Sequence, residues 1–131
     1  MKLRIRGNSI RLRLGASEVA QLAKGDRVSE STQFSPLLKD RLIYAVVLST
    51  DAMEISASFA NNEILVSVPQ VLGQVWANSE RVGLNHEQKV NGEASLTIVI
   101  EKDFQCLEPR PNEDQSDSFP NPAKGAACGH H

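Results

Sequence analysis

Between Lys2 and Leu14 apolar and polar residues alternate, interrupted once by Gly7-Asn8-Ser9. Alternation at period two puts Leu3 and Ile5 on one strand face and Arg4 and Arg6 on the other. Ile10, Leu12 and Leu14 repeat that choice after the turn, opposite Arg11 and Arg13. The segment therefore predicts a hairpin with one apolar face and one face of guanidinium groups.

The period then changes. Val19, Leu22 and Ala23 fall at helical spacing within Gly15–Gly25, with Glu18 at the positive end and Lys24-Gly25 as a stop. Asp26–Ser31 reads as a strand broken at Ser35-Pro36, and Leu42–Ser49 as a central strand, apolar on both faces. A second hairpin follows: Ile55, Ala57 and Phe59, the turn Asn61-Asn62, then Ile64, Val66 and Val68. Pro69 suits the first position of a helix whose stripe is Val71, Leu72, Val75 and Trp76. Strands over Arg81–Gln88 and Ser95–Glu101, joined by a turn at Asn91-Gly92, complete the pattern.

The two halves align at an offset of 54 residues without a gap: Asn8 meets Asn62, Ile10 meets Ile64, Ala23 meets Ala77, Arg27 meets Arg81 and Val28 meets Val82. Turn, helix and strands coincide as well. The expectation is an α+β domain of tandem duplicated ββαββ units, mainly antiparallel, forming a barrel-like or strongly curved sheet with two short helices. Repeat one spans about 2–49 and repeat two about 55–102, inside a single domain over 1–105. Residues 106–131 form an acidic, proline-rich arm and a loose tail; Phe104 just before it, with Leu107 and Phe119 within it, favours partial docking.

Composition narrows the function. The 131 residues hold 40% hydrophobic and 23% charged side chains, ordinary for a soluble domain. No apolar run approaches the ~20 residues of a membrane span, and the N-terminus carries no secretory h-region, so a cytoplasmic location without membrane partners is expected. Residues 1–27 hold seven basic and two acidic side chains, whereas 101–117 hold six acidic and two basic. That layout offers two partners for Arg4, Arg6, Arg11 and Arg13: an anionic small molecule or protein segment, or the chain's own Asp103, Glu108, Glu113, Asp114 and Asp117. Nucleic acid fits poorly, because the isoelectric point is near 5.9 and the hairpin contains no aromatic residue.

Other chemistry is thinner. Cys106, Cys128 and His130 are suitable zinc ligands, but there is no CxxC pair and the histidines are terminal, as in a purification tag. No cofactor is otherwise implied. His86 stands alone in the folded body, and Glu101 with Asp103 forms either a hard-metal or acid–base pair or a strand end facing Arg11 and Arg13. Unpaired edge strands leave a monomer or a dimer open.

The motifs Lys2–Leu14, Glu101–Leu107, Glu113-Asp114 and Phe119–Pro122 resemble a small bacterial domain family of unknown function, over nearly the whole chain to about Pro122. The resemblance implies no activity, and it implies that the acidic arm belongs to the domain. In architecture the chain is also similar to CYTH-like triphosphate tunnel enzymes, with their duplicated barrels. Their N-terminal strand carries alternating glutamates, where this chain has Arg4 and Arg6. The expected function is a non-catalytic binding or interaction module; the alternatives are a metal-dependent phosphohydrolase of the tunnel type and a zinc-stabilised module.

Overall fold

The computed structural model describes residues 1–104 and 117–120. Its elements run β1 (Lys2–Arg6), β2 (Ser9–Leu14), α1 (Ala16–Ala23), β3 (Val28–Gln33), β4 (Arg41–Ser49), β5 (Ser56–Ala60), β6 (Glu63–Pro69), α2 (Gln70–Ala77), β7 (Gly83–Lys89) and β8 (Ser95–Lys102). The strands form two four-stranded mixed sheets, β1-β2-β8-β7 and β3-β4-β6-β5. Each sheet joins the hairpin of one half to the strand pair of the other.

The outer ladders are antiparallel, but both central pairs, β2 with β8 and β4 with β6, are parallel. Their registers correspond across the halves. Ser9 lies opposite Thr97 as Glu63 lies opposite Ile43. The turn asparagines begin both ladders: the Thr97 amide donates to the Asn8 carbonyl (3.0 Å), and the Ile43 amide to the Asn62 carbonyl (2.9 Å).

The expected offset fails in one place. Val28 faces the core opposite Val46, and the residue in the corresponding place opposite Ile100 is Leu84, not Val82. Leu84 is buried and Val82 is 46% exposed. Two extra residues between α2 and β7, taken back in the shorter β7–β8 turn, move the frame, so Arg27/Arg81 and Val28/Val82 are not structural counterparts.

The eight strands do not close into a barrel. At the β5/β7 seam the ladder is replaced by one side chain: the Ala57 amide donates to Gln88 Oε1 (2.7 Å) and Gln88 Nε2 donates to the Ala57 carbonyl (2.9 Å). At the β1/β3 seam the Met1 ammonium reaches Glu18 (2.7 Å) and Glu30 (3.3 Å). Side chains bridge what backbone does not.

Between the sheets lies one core. Leu12, Leu14, Ile98 and Ile100 from one sheet meet Val46, Val66 and Val68 from the other, with Val19, Leu22 and Trp76 supplied by the helices. Burial at about 25 cal/mol per Å² of apolar surface makes this cluster the main source of stability. Both helices sit where β2, β4, β6 and β8 end, and the four strand-connecting turns gather at the opposite end. Helix α1 ends as expected: Gly25 at φ +99° lets its amide bond the Leu22 carbonyl while the Asp26 amide bonds the Gln21 carbonyl. In α2 the stripe is rotated from expectation, with Leu72, Gly73 and Trp76 inward and Val71 and Val75 outward; Pro69 closes β6 and caps α2 from outside. No helix among the described residues is long and apolar enough to cross a membrane.

Candidate functional site

Sheet registry decides which side chains share a face. Across β1, β2 and β8, Lys2, Arg13 and Glu101 form one row, Arg4, Arg11 and Val99 the next, and Arg6, Ser9 and Thr97 the third. All of these point away from the core, since Leu3, Leu12 and Ile100 form the intervening inward row. The four arginines expected to share a face do so.

Their charge is only partly answered. Arg13 Nε donates to Glu101 Oε1 at 2.6 Å, and Arg11 Nη1 lies 3.6 Å from the same oxygen. Lys2 Nζ pairs with Asp103 Oδ2 at 3.1 Å. Glu101 and Asp103 thus serve as counter-ions for the hairpin, the second of the two roles open to them. Glu87, in the third row on β7, is held by Thr97 Oγ1 (2.9 and 3.1 Å) and Ser95 Oγ (3.2 Å), one strand beyond β8 from the hairpin. Among the described residues Arg4 and Arg6 have no carboxylate partner. They line, with Ser9 and Arg11, an open cleft of about 230 Å³. Arg4 stands directly opposite Arg11, an arrangement of like charges that costs stability in an isolated ladder.

The arm does not supply that missing charge where it is described. Asp117 goes to the start of α1, where Gly15 is the cap residue and has no side chain to accept from the first-turn amides. Asp117 takes the role: the Ala16 amide donates to its carbonyl (2.8 Å), the Ser17 amide to Oδ1 (3.1 Å) and Ser17 Oγ to Oδ2 (2.7 Å). Glu18 completes the cap by accepting from the Gly15 amide (2.9 Å). A Cβ at Gly15 would overlap the Asp117 carboxylate and approach its carbonyl within 2.8 Å. Beyond it the Phe119 amide bonds the Asp103 carbonyl (2.7 Å), and the Phe104 and Phe119 rings lie 5.7 Å apart. A cap residue without a side chain was the available sequence signal for an acceptor arriving from elsewhere.

Phe119 also covers Lys102, which sequence reasoning passed over. Lys102 points inward, 6% exposed, and its ammonium donates to the Ser79 carbonyl (2.6 Å) between the faces of Trp76 (5.7 Å) and Phe119 (5.6 Å). Burial pushes it below the usual lysine range, with Glu80 pulling weakly the other way.

Cys106, Cys128 and His130, like Glu108, Glu113 and Asp114, lie outside the described residues. Among the described residues no three His, Cys, Asp or Glu side chains are placed to hold a metal ion. His86 Nε2 lies 2.9 Å from Glu54 on the surface. A family described as a family of unknown function (DUF7009) matches residues 1–123 of the chain. No curated protein and no solved structure matches it.

Proposed function

The chain belongs to that family of unknown function, DUF7009, and from this premise we propose that it is a non-catalytic binding module whose hairpin face takes an anionic ligand at Arg4, Arg6 and Arg11. One observation carries the reading. Like charges stand opposite each other on β1 and β2, and the nearest strand carboxylate, Glu101, is engaged by Arg13. Planar guanidinium forks over an open cleft match the paired oxygens of a phosphate or carboxylate, and Ser9 adds a hydroxyl donor. The ligand class is a phosphorylated or polycarboxylate small molecule or an acidic protein segment, bound at a surface rather than enclosed.

Titration of labelled protein with inorganic phosphate, pyrophosphate and a glutamate-rich peptide, followed by amide chemical shifts, tests this. The reading expects saturable shifts at Arg4, Arg6, Ser9 and Arg11, weakened by salt and lost in Arg4→Glu/Arg11→Glu. Shifts that are absent, or identical in the double variant, overturn it. Magnesium- or manganese-dependent hydrolysis of a triphosphate by the same sample would replace it with the tunnel-type phosphohydrolase.

The two halves are read as copies of one ββαββ unit, supported by the matched registers of the parallel pairs and by the coincidence of α1 and α2 at the same offset.

A further inference from the structure

At the end of the molecule away from the helices, the two sheets part around a second, apolar hollow. Ile10 and Leu96 line it from one sheet and Ala57, Ser58, Phe59 and Ile64 from the other; its volume is about 220 Å³. A dry cavity of about 150 Å³ is enough to take up benzene. The hollow is therefore large enough for the ring of a phenylalanine.

Such a ring stands in its own wall. Phe59 is 69% exposed, so knob and socket occupy the same patch of one chain. A patch of that kind is self-complementary about a twofold axis, since each copy offers the ring that the other's hollow receives. We infer that this end is the interface of a homodimer in which Phe59 side chains are exchanged between the hollows of two copies.

Charge selects this hairpin over its counterpart. Strand β5, Ser-Ala-Ser-Phe-Ala, has no charged side chain, so two copies approach without repulsion. Its counterpart β1 places the exposed Ile5 between Arg4 and Arg6, and two copies of that strand would bring guanidinium groups together. Only one of the two hairpins is free to meet itself.

The available area agrees. Phe34, Leu37 and Leu38, in the β3–β4 connection at the same end, are 71%, 55% and 75% exposed. That connection is tied to the β5–β6 turn by Asn62 Nδ2 donating to the Lys39 carbonyl (2.6 Å). It is also braced internally, with Gln33 Nε2 donating to the Ser35 (2.6 Å) and Leu37 (2.8 Å) carbonyls and the Phe34 amide to the Asp40 carbonyl (2.9 Å). The backbone of this connection therefore needs little further ordering on association. With Phe59, the side chains of Phe34, Leu37 and Leu38 present on the order of 500 Å² of apolar surface, taking aromatic side chains at roughly 200 Å² and aliphatic ones somewhat less. A standard interface buries about 800 Å² per partner.

The full chain is examined by sedimentation velocity and light scattering from low to high micromolar concentration. The wild type should be a dimer. Phe59→Ser should weaken association by more than about 100-fold, because each dimer loses two anchors. Ala57→Met, which fills the socket from within, should do the same through an apolar residue, with thermal unfolding showing that both variants remain folded. Arg4→Glu/Arg11→Glu should leave the dimer intact, which separates this inference from the anion-binding reading. A wild type that stays monomeric at the highest concentration overturns the inference, whatever else the patch binds. A dimer that survives in both folded variants overturns it equally, by placing the interface elsewhere.

Discussion

The outer faces of the two sheets carry opposite chemistry on one backbone plan. At the offset of 54 residues, Lys2, Arg4 and Arg6 on β1 stand where β5 has Ser56, Ser58 and Ala60. Arg11 and Arg13 stand where β6 has Leu65 and Ser67, and Glu101 where β4 has Val47. Along the inward rows the central strands differ far less. Ile10 and Ile64, Leu12 and Val66, Leu14 and Val68, Ile100 and Val46 are apolar in both halves. The fold therefore demands the inner residues and is indifferent to the outer ones. Four guanidinium groups gathered on one face are not a requirement of sheet architecture, which is why they are read as a site.

Breaking the shared part should hurt most. Leu12→Ala, at a fully buried position, should cost about 2–5 kcal/mol, and Val66→Ala less because fewer carbons leave, both read from denaturant midpoints. Next comes the arm, whose Asp117 caps α1. Gly15→Ala inserts a methyl group where Asp117 sits and should cost about 1–3 kcal/mol. Loss of exchange protection at the Phe119 amide, with the amides of β4 unchanged, would locate the damage in the arm.

Glu101→Gln sharpens the contrast between the faces by removing the charge that answers Arg13 and Arg11. It should cost about 1 kcal/mol after solvent screening and tighten phosphate binding several-fold. Unchanged phosphate affinity would show that Glu101 does not compete with the ligand.

Lys102 and Leu48 are an inward pair that differs in charge. A lysine lowered by burial binds its proton less tightly folded than unfolded, so the unfolded chain holds more protons between the folded value and 10.5. Wild-type stability, measured relative to Lys102→Leu, should therefore rise as pH climbs through that interval. A flat difference would mean that Lys102 titrates alike in both states. The smallest effect on stability belongs to Arg4→Ser/Arg6→Ala, which transfers the residues of β5 to β1. It should change stability by no more than about 0.5 kcal/mol while abolishing anion binding.

Much of this was legible in the chain. Period-two alternation located β1 and β2, and apolar runs located β4 and β8, within about a residue, because each hides one face or both. The run from Leu42 to Ser49 identified a central strand for the same reason. What alternation does not encode is which strand lies beside which. The parallel pairs β2/β8 and β4/β6 join residues whose faces are compatible with many neighbours, so sheet exchange between the halves was invisible, as was the failure to close. The slip before β7 was hidden because Val82 and Leu84 share a strand face and either could serve as the inward residue. Within the site, the common face of Arg4, Arg6, Arg11 and Arg13 followed from local spacing. Their counter-ions did not, because Glu101 and Asp103 reach the hairpin only through the β2/β8 ladder.

That ladder has a consequence for how the chain acquires its structure. The first hairpin finds its neighbour 88 positions later, Ser9 beside Thr97, so its sheet is incomplete until the last strand, β8, exists. Contacts of such long range slow folding, because chain entropy is lost before they form. On the ribosome, at roughly 5–20 residues per second, β1 and β2 wait several seconds for β8, with Ile10, Leu12 and Leu14 unprotected meanwhile. Neither half can finish a sheet alone. Two fragments divided in the β4–β5 loop should each remain unfolded and should recover the native fold when mixed.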